Sequence, residues 1–259
     1  MTARLTSTIF CILLWMTFSS AGLAQPNAQA VFDDANEQLQ AGNYGQALSL
    51  YHDLELRNNV SGALFLNMGI TYQRIDSLGK AKFYFLKATE FEETEQRAQQ
   101  ALEFVNSQFS RQSAVLPKLP WDVATTWLQK NIGAKLLLFI GILLFNLGIF
   151  TFITHWFGQF YPKILRISSY SIVGFAILII TASFYTQYIN ERYSTAVMIT
   201  DQISVVENPT EQAPVVSRAY EGYTFTVDHY QSQDQPKWSY IRMSNGLYGW
   251  IPNSEILIL

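Results

Sequence analysis

The side chains from which a catalytic or metal site could be built are few and scattered. Histidine occurs only at His52, His155 and His229, and cysteine only at Cys11. The histidines fall in three different segments with no cysteine or spaced carboxylate beside them, so spacing assembles no nucleophilic triad and no metal cluster. Gly79-Lys80-Ala81 does not make a phosphate-cradling loop, because it lacks both the first glycine and the hydroxyl of Gly-x-x-x-x-Gly-Lys-Ser/Thr. No catalytic residue, metal or cofactor is expected, and the chemistry left to look for is recognition.

Composition indicates where that recognition takes place. The chain of 259 residues is 49% apolar and 14% charged, too sparsely charged for a purely soluble protein. None of its 20 acids lies between Asp122 and Glu191. Such an ion-poor tract suggests lipid. The parts before Leu116 and from Glu191 onward each carry more acids than bases, so neither offers the basic face that nucleic acid requires.

Residues 1–24 have the parts of a secretory signal: Arg4 before an apolar core at 9–18, then Gly22-Leu23-Ala24 as a small-residue cleavage site. Cys11 sits inside the apolar core rather than after it, which argues against a lipid-modified cysteine. Farther on, a linker at 111–133 with Pro117 and Pro120 leads to a membrane helix at 134–155, a short loop at 156–166 and a second membrane helix at 167–188. The uninterrupted part of the first, 136–153, would reach roughly 27 Å as a helix, enough to span. Trp121, Trp127, Trp156 and Tyr161 stand where interfacial aromatics belong. Asn146 is the one polar interruption in 136–153; it marks either a contact with Ser or Thr of the partner helix or a tolerated lone amide. Lysine and arginine counts on the flanks do not decide the orientation. The signal does, placing both soluble parts outside the cytoplasmic membrane and the short loop inside.

Residues 28–110 repeat with a period of 34: Ala35 falls on Gly69, Ala47 on Ala81 and Tyr51 on Phe85. Small residues let two helices approach while Tyr44, Tyr51, Tyr72 and Phe85 fill the space around them. With Phe65, Met68, Gly69, Tyr72, Ala81, Phe85 and Ala88 matching one repeat, the stretch resembles the tetratricopeptide family, with repeats at 28–61 and 62–95 and a capping helix at 94–109. The closing proline of the family is replaced by Asn59 and Glu93. The resemblance implies partner binding in a groove presenting Asn36, Gln40, Asn67, Gln73, Arg74 and Arg97. Asn36, Asn67 and Arg97 also occupy three of the five positions with which some family members clamp a C-terminal carboxylate; Phe32 and Ala101 stand at the other two.

From residue 195 the apolar pattern changes to period two, as in Tyr223-Thr224-Phe225-Thr226-Val227, with Asn208-Pro209, Glu221-Gly222 and Asn245-Gly246 as turn signals. With Trp238, Tyr240, Arg242 and the closing Gly249-Trp250-Ile251-Pro252, residues 195–259 resemble a bacterial SH3-like (SH3b) barrel. Trp250 is expected to cover the barrel end as core, leaving Tyr220, Trp238 and Tyr248 as the ligand-facing aromatics for cell-wall peptides or proline-rich segments. The fold class expected is therefore multidomain: all-α tetratricopeptide hairpins, a transmembrane helical hairpin and an all-β SH3-like barrel.

Signal, repeat array, two close membrane helices and SH3-like end, in that order, are similar to the E component of the Bat (Bacteroides aerotolerance) proteins. That resemblance implies a non-enzymatic adaptor in an envelope complex linked to stress or oxygen tolerance, with von Willebrand A domain membrane proteins and a MoxR-type AAA+ ATPase as partners. A second reading is a sensor whose SH3-like part reads peptidoglycan. Both readings share a topology in which two spans return the chain to the side it left. Alkaline phosphatase fused after Arg111 and after Leu259 should be active at both sites; activity at one alone would remove one of the two spans.

Overall fold

The computed structural model describes residues 26–111, 116–117, 123, 127–129, 131–157 and 162–259. The signal with Cys11, and also Trp121 and Tyr161, lie outside the described residues. The chain begins with two helical hairpins, α1 (Pro26–Gln40) with α2 (Tyr44–Leu56) and α3 (Gly62–Arg74) with α4 (Leu78–Ala88), followed by α5 (Glu95–Gln108). Both hairpins turn on a residue in the left-handed region, Gly42 at φ 79° and Asp76 at φ 61°. These two positions are 34 residues apart, so the repeat extends to the turn geometry. Ser61 starts α3 by accepting the amide of Leu64 on its hydroxyl, satisfying one of the helix's free N–H groups. The sequence pairing of small against large is realised in the core: Ala35, Ala47 and Ala81 are fully buried, and so are Tyr51 and Phe85.

One brace crosses between the hairpins. Glu55 on α2 accepts from Lys87 Nζ at 2.6 Å and from Tyr84 Oη at 3.2 Å, and it lies 3.3 Å from His52 Nδ1. His52 Nε2 in turn meets Tyr72 Oη at 2.8 Å. Glu55 stands three residues after His52, and on a helix that spacing makes the carboxylate its neighbour. Tyr72 and Tyr84 stack with centroids 5.3 Å apart, and Lys87 Nζ sits 4.1 Å above the Phe65 ring. The imidazole of His52, together with Lys87 and Tyr84, holds the Glu55 carboxyl down to about 2 against the opposite pull of burial.

Helices α6 (Gly133–Phe157) and α7 (Pro162–Arg192) form an antiparallel hairpin, and each is long and apolar enough to cross a membrane. Their seam is made of small residues: Gly141 faces Ile180, Gly148 faces Val173, and Ser183 Oγ donates to the Ala134 carbonyl at 2.7 Å. Asn146 is not on this seam. Its Nδ2 donates back to Ile142 O of its own helix at 2.8 Å, so the contact with a hydroxyl of α7 does not form. Both helices outrun the spans expected at 134–155 and 167–188. Proline at the first position of α7 has φ already set for a helix. At the other end α7 passes straight into the first strand, because Asp228 grips Arg192 Nη2 at 2.8 Å while capping the backbone of Tyr230 and Gln231.

The C-terminal part is an antiparallel sheet of β1 (Tyr193–Met198), β2 (Gln202–Val206), β3 (Val215–Tyr220), β4 (Thr224–Asp228), β5 (Trp238–Met243), β6 (Tyr248–Pro252) and β7 (Ile256–Ile258). The strand order is β3-β2-β6-β5-β4-β1-β7, with the short helix α8 (His229–Ser232) between β4 and β5. Its core is Ala196, Met198, Val205, Phe225, Val227, Ile241, Met243 and Ile251, contributed from alternate positions along the strands.

The helical and sheet parts are joined at α4. Glu221 accepts the Gly79 amide at 2.7 Å, and Lys82 Nζ donates to the Gly222 carbonyl at 2.7 Å. Gly79 is there because a Cβ would lie 2.5 Å from Met198 O and 2.9 Å from Ile199 Cα. Val197 of β1 is fully buried against the helical core, with Leu257 and Leu259 beside it.

The Glu55 brace makes stability depend on pH. Its carboxyl lies below its ordinary 4.5, so its contribution is full above that value and is lost as pH falls from there toward about 2. The contribution at neutral pH is on the order of 3 kcal/mol. Thermal loss of helical circular dichroism should therefore shift down steeply in acid for the unaltered chain. Glu55→Gln should melt lower at pH 7 with a flatter pH profile below 4.5; parallel profiles would show that the brace carries no such weight.

Candidate functional site

Two surfaces combine exposed apolar or aromatic side chains with arginine. The first is a cavity of about 780 Å³ between α3 and α5, lined by Leu66, Ile70, Gln73, Arg74, Asp76, Arg97, Gln100, Ala101, Phe104 and Gln108. Its α5 wall follows from periodicity: Arg97, Ala101, Phe104 and Gln108 recur at helical spacing on one face. Leu66, Ile70, Ala101 and Phe104 make an apolar floor, and Gln73, Gln100, Gln108 and the two exposed arginines a polar rim carrying Asp76. Such a lining suits a peptide with an apolar anchor and a carboxylate, because arginine offers five donors in a planar fork.

Of the six groove residues expected from sequence, the structure brings Gln73, Arg74 and Arg97 together in this cavity. Asn36 and Asn67 lie outside this cavity lining and bond to each other. Asn36 Oδ1 accepts from Asn67 Nδ2 at 2.7 Å and from Tyr51 Oη at 2.7 Å. The two amides tie α1 to α3 and to the buried Tyr51, whose hydroxyl is pushed up to about 12 by burial, partly offset by Asn67. Gln40 is exposed at the end of α1, outside the cavity lining. What the sequence reading missed is the floor: Leu66, Ile70 and Phe104 look like ordinary helix apolars until α3 and α5 are set side by side.

The second surface is the outer face of β5 and β6. Ser239, Ile241 and Met243 point inward from β5, so Trp238, Tyr240 and Arg242 point outward. On β6 Gly249 and Ile251 are inward and Tyr248, Trp250 and Pro252 outward. The register opposes Trp238 to Pro252, Tyr240 to Trp250 and Arg242 to Tyr248. Tyr240 stacks on Tyr248 with centroids 6.1 Å apart and meets the edge of Trp250 at 5.2 Å. Trp250 is therefore part of an outer aromatic platform rather than of the sheet's core, where it was expected. The inward positions beside it are already taken, by Ile251 and by Gly249, where a Cβ would come within 2.6 Å of Val205 Cγ1.

Tyr220, grouped with Trp238 and Tyr248 by the sequence reading, sits elsewhere. It lies at the junction, where Arg111 Nη1 donates to its hydroxyl at 3.1 Å and the guanidinium stands 4.5 Å from its ring centre. It lines a cavity of about 270 Å³ with Leu78, Phe109, Asp201 and Glu221. Burial lowers the Lys82 ammonium to about 8 and raises the Glu221 carboxyl. Among the described residues no group of three His, Cys, Asp or Glu is placed to hold a metal ion.

The inward and outward parity of β6 sets the expected cost of substitution. Ile251→Ala should destabilise the sheet by about 2–5 kcal/mol, and Trp250→Ala by clearly less, since only the first empties a core position. Protection of the β5 and β6 amides in hydrogen exchange reports both. The reverse order would return Trp250 to the core.

The chain matches no protein-family model and no curated protein, so its function is read from the residues and geometry above.

Proposed function

We propose that this protein is a non-enzymatic, membrane-anchored adaptor whose helical groove holds a partner's acidic or C-terminal peptide. In this reading α1 to α5 are a tetratricopeptide-type array, α6 and α7 cross the inner membrane, and the sheet is an SH3-like barrel on the same periplasmic side. The observation that carries it is the open cavity between α3 and α5, with its apolar floor and the Arg74 and Arg97 rim. The 34-residue recurrence of both packing and turn geometry supports the repeat assignment. Domain order supports placement among Bat-type envelope complexes with von Willebrand A domain membrane proteins and a MoxR-type ATPase, linked to stress or oxygen tolerance.

A second reading is favoured by the aromatic platform on β5 and β6. There the protein is a sensor that reads peptidoglycan or a peptide on Trp238, Tyr240, Tyr248 and Trp250. Acidic or C-terminal peptides and wall fragments place different demands on the two surfaces, so point variants separate the readings.

The test is co-purification of the full-length chain from detergent-solubilised membranes, with bound proteins identified by mass spectrometry. Arg74→Glu with Arg97→Glu should lower partner recovery by about tenfold or more, since reversed rim charges repel carboxylates. Trp238→Ala with Tyr248→Ala should leave recovery unchanged. The opposite pattern would move recognition to the platform and support the sensor.

A further inference from the structure

The membrane hairpin has two unlike faces. Gly141 and Gly148 of α6 pack on α7, and on the opposite side of α6 Phe139, Leu143, Asn146, Phe150 and Ile153 recur at spacings of four and three. All five are exposed, Phe139 at 64% and Phe150 at 63%. Phenylalanine, leucine and isoleucine are what hydrocarbon accepts. Asn146 is not. It lies 13 residues from Gly133 and 11 from Phe157, roughly 16–20 Å of helix from either end and hence near mid-span. A carboxamide has two N–H donors and two lone pairs. Among the described residues the one hydrogen bond of this side chain is Nδ2 to Ile142 O, which leaves one N–H and the whole of Oδ1 open. Three threonines of the same hairpin differ: Thr151, Thr154 and Thr181 each return their hydroxyl proton to their own helix. In lipid an open amide has no water to turn to, and the groups that satisfy it must come from another helix.

We infer that this face of α6 is an intramembrane interface with a second copy of the same chain, built around a reciprocal Asn146 to Asn146 amide pair. The inference rests on the reading of α6 and α7 as membrane spans. A second copy is the occupant because the carboxamide is self-complementary. Across a two-fold axis along the membrane normal, the free N–H of each copy donates to Oδ1 of the other, while each retains its bond to Ile142. Two copies inserted with the same topology bring their α6 helices together in parallel, so equal depths meet. The four-three spacing of Phe139, Leu143, Phe150 and Ile153 is the repeat that keeps such a seam continuous along two helices. Packing α7 on the glycine side leaves this face free, and it points away from the hairpin's own partner. Two copies joined in this way would present two grooves on one side of the membrane, which raises the effective concentration for a partner with two matching segments.

The experiment uses the full-length chain in native membranes with Cys11→Ser, so that introduced cysteines report alone. Leu143→Cys and Phe150→Cys should form disulfide-linked dimers of twice the chain mass on mild oxidation, and Leu178→Cys, exposed on α7, should not. Adding Asn146→Leu should reduce the dimer yield roughly three- to tenfold, in line with the coupling measured for hydrogen-bonded side chains between membrane helices. Asn146→Gln should restore most of it. Alkaline carbonate extraction is run on each variant. Release of the unsubstituted chain would overturn the span reading and the pairing with it. Retention in the membrane with equal dimer yields in the presence and absence of Asn146→Leu, with equal linking at position 178, or with linkage only to a protein of different mass would overturn the pairing alone.

Discussion

The seat of α4 on β1 is the contact on which the rest of the arrangement depends. Three kinds of interaction meet there: Glu221 completing the start of α4 through the Gly79 amide, Lys82 donating to the Gly222 carbonyl, and Val197 filling the helical core. Each satisfies a requirement of the other part. The first turn of a helix has N–H groups without partners, and a carboxylate near them is favoured by both hydrogen bonding and the helix dipole. A buried ammonium needs an acceptor, and the tight turn at Gly222 exposes a carbonyl to supply it. Without this seat, the groove and the aromatic platform would be independent bodies on a chain. With it, the two surfaces are held on one body.

A second constraint acts at the other end of the sheet. Because α7 runs into β1 with no intervening residue, the sheet inherits its orientation from a membrane-length helix. Asp228 secures the passage by serving Arg192 and the first turn of α8 at once. Tyr188, Tyr193 and Tyr230 surround the same guanidinium, with centroids 5.1–5.6 Å away, which extends the ion pair into a cation–π cluster.

The two candidate surfaces differ in how they are made. The groove is a gap between α3 and α5, where apolar side chains such as Phe104 stay exposed beside a polar rim. The platform is a consequence of strand parity: once Ser239, Ile241 and Ile251 are inside, the aromatics between them have nowhere to go but out. Arginine supplies the positive charge in both, as Arg74 and Arg97 at the groove and Arg242 over Tyr248 on the platform. A planar cation suits carboxylates and aromatic faces alike.

Much of the architecture was legible in the sequence, because helical pairing, membrane length and strand alternation are local properties. The 34-residue recurrence of small and large residues located both hairpins, hydropathy located α6 and α7, and period two with Asn245-Gly246 located the sheet. At the groove, Gln73, Arg74 and Arg97 could be named from the resemblance of the 34-residue repeat to arrays whose first helices line a groove, and not from periodicity. Tertiary structure alone decided the rest. That Asn36 accepts from both Asn67 and Tyr51, that Trp250 faces out while Ile251 faces in, and that Asn146 turns away from α7 all depend on which neighbour occupies the opposing position. Glu221 finds the Gly79 amide across 142 residues of chain. No periodicity reports a contact of that separation, because its energy comes from two surfaces meeting and neither surface exists until its own part of the chain has folded.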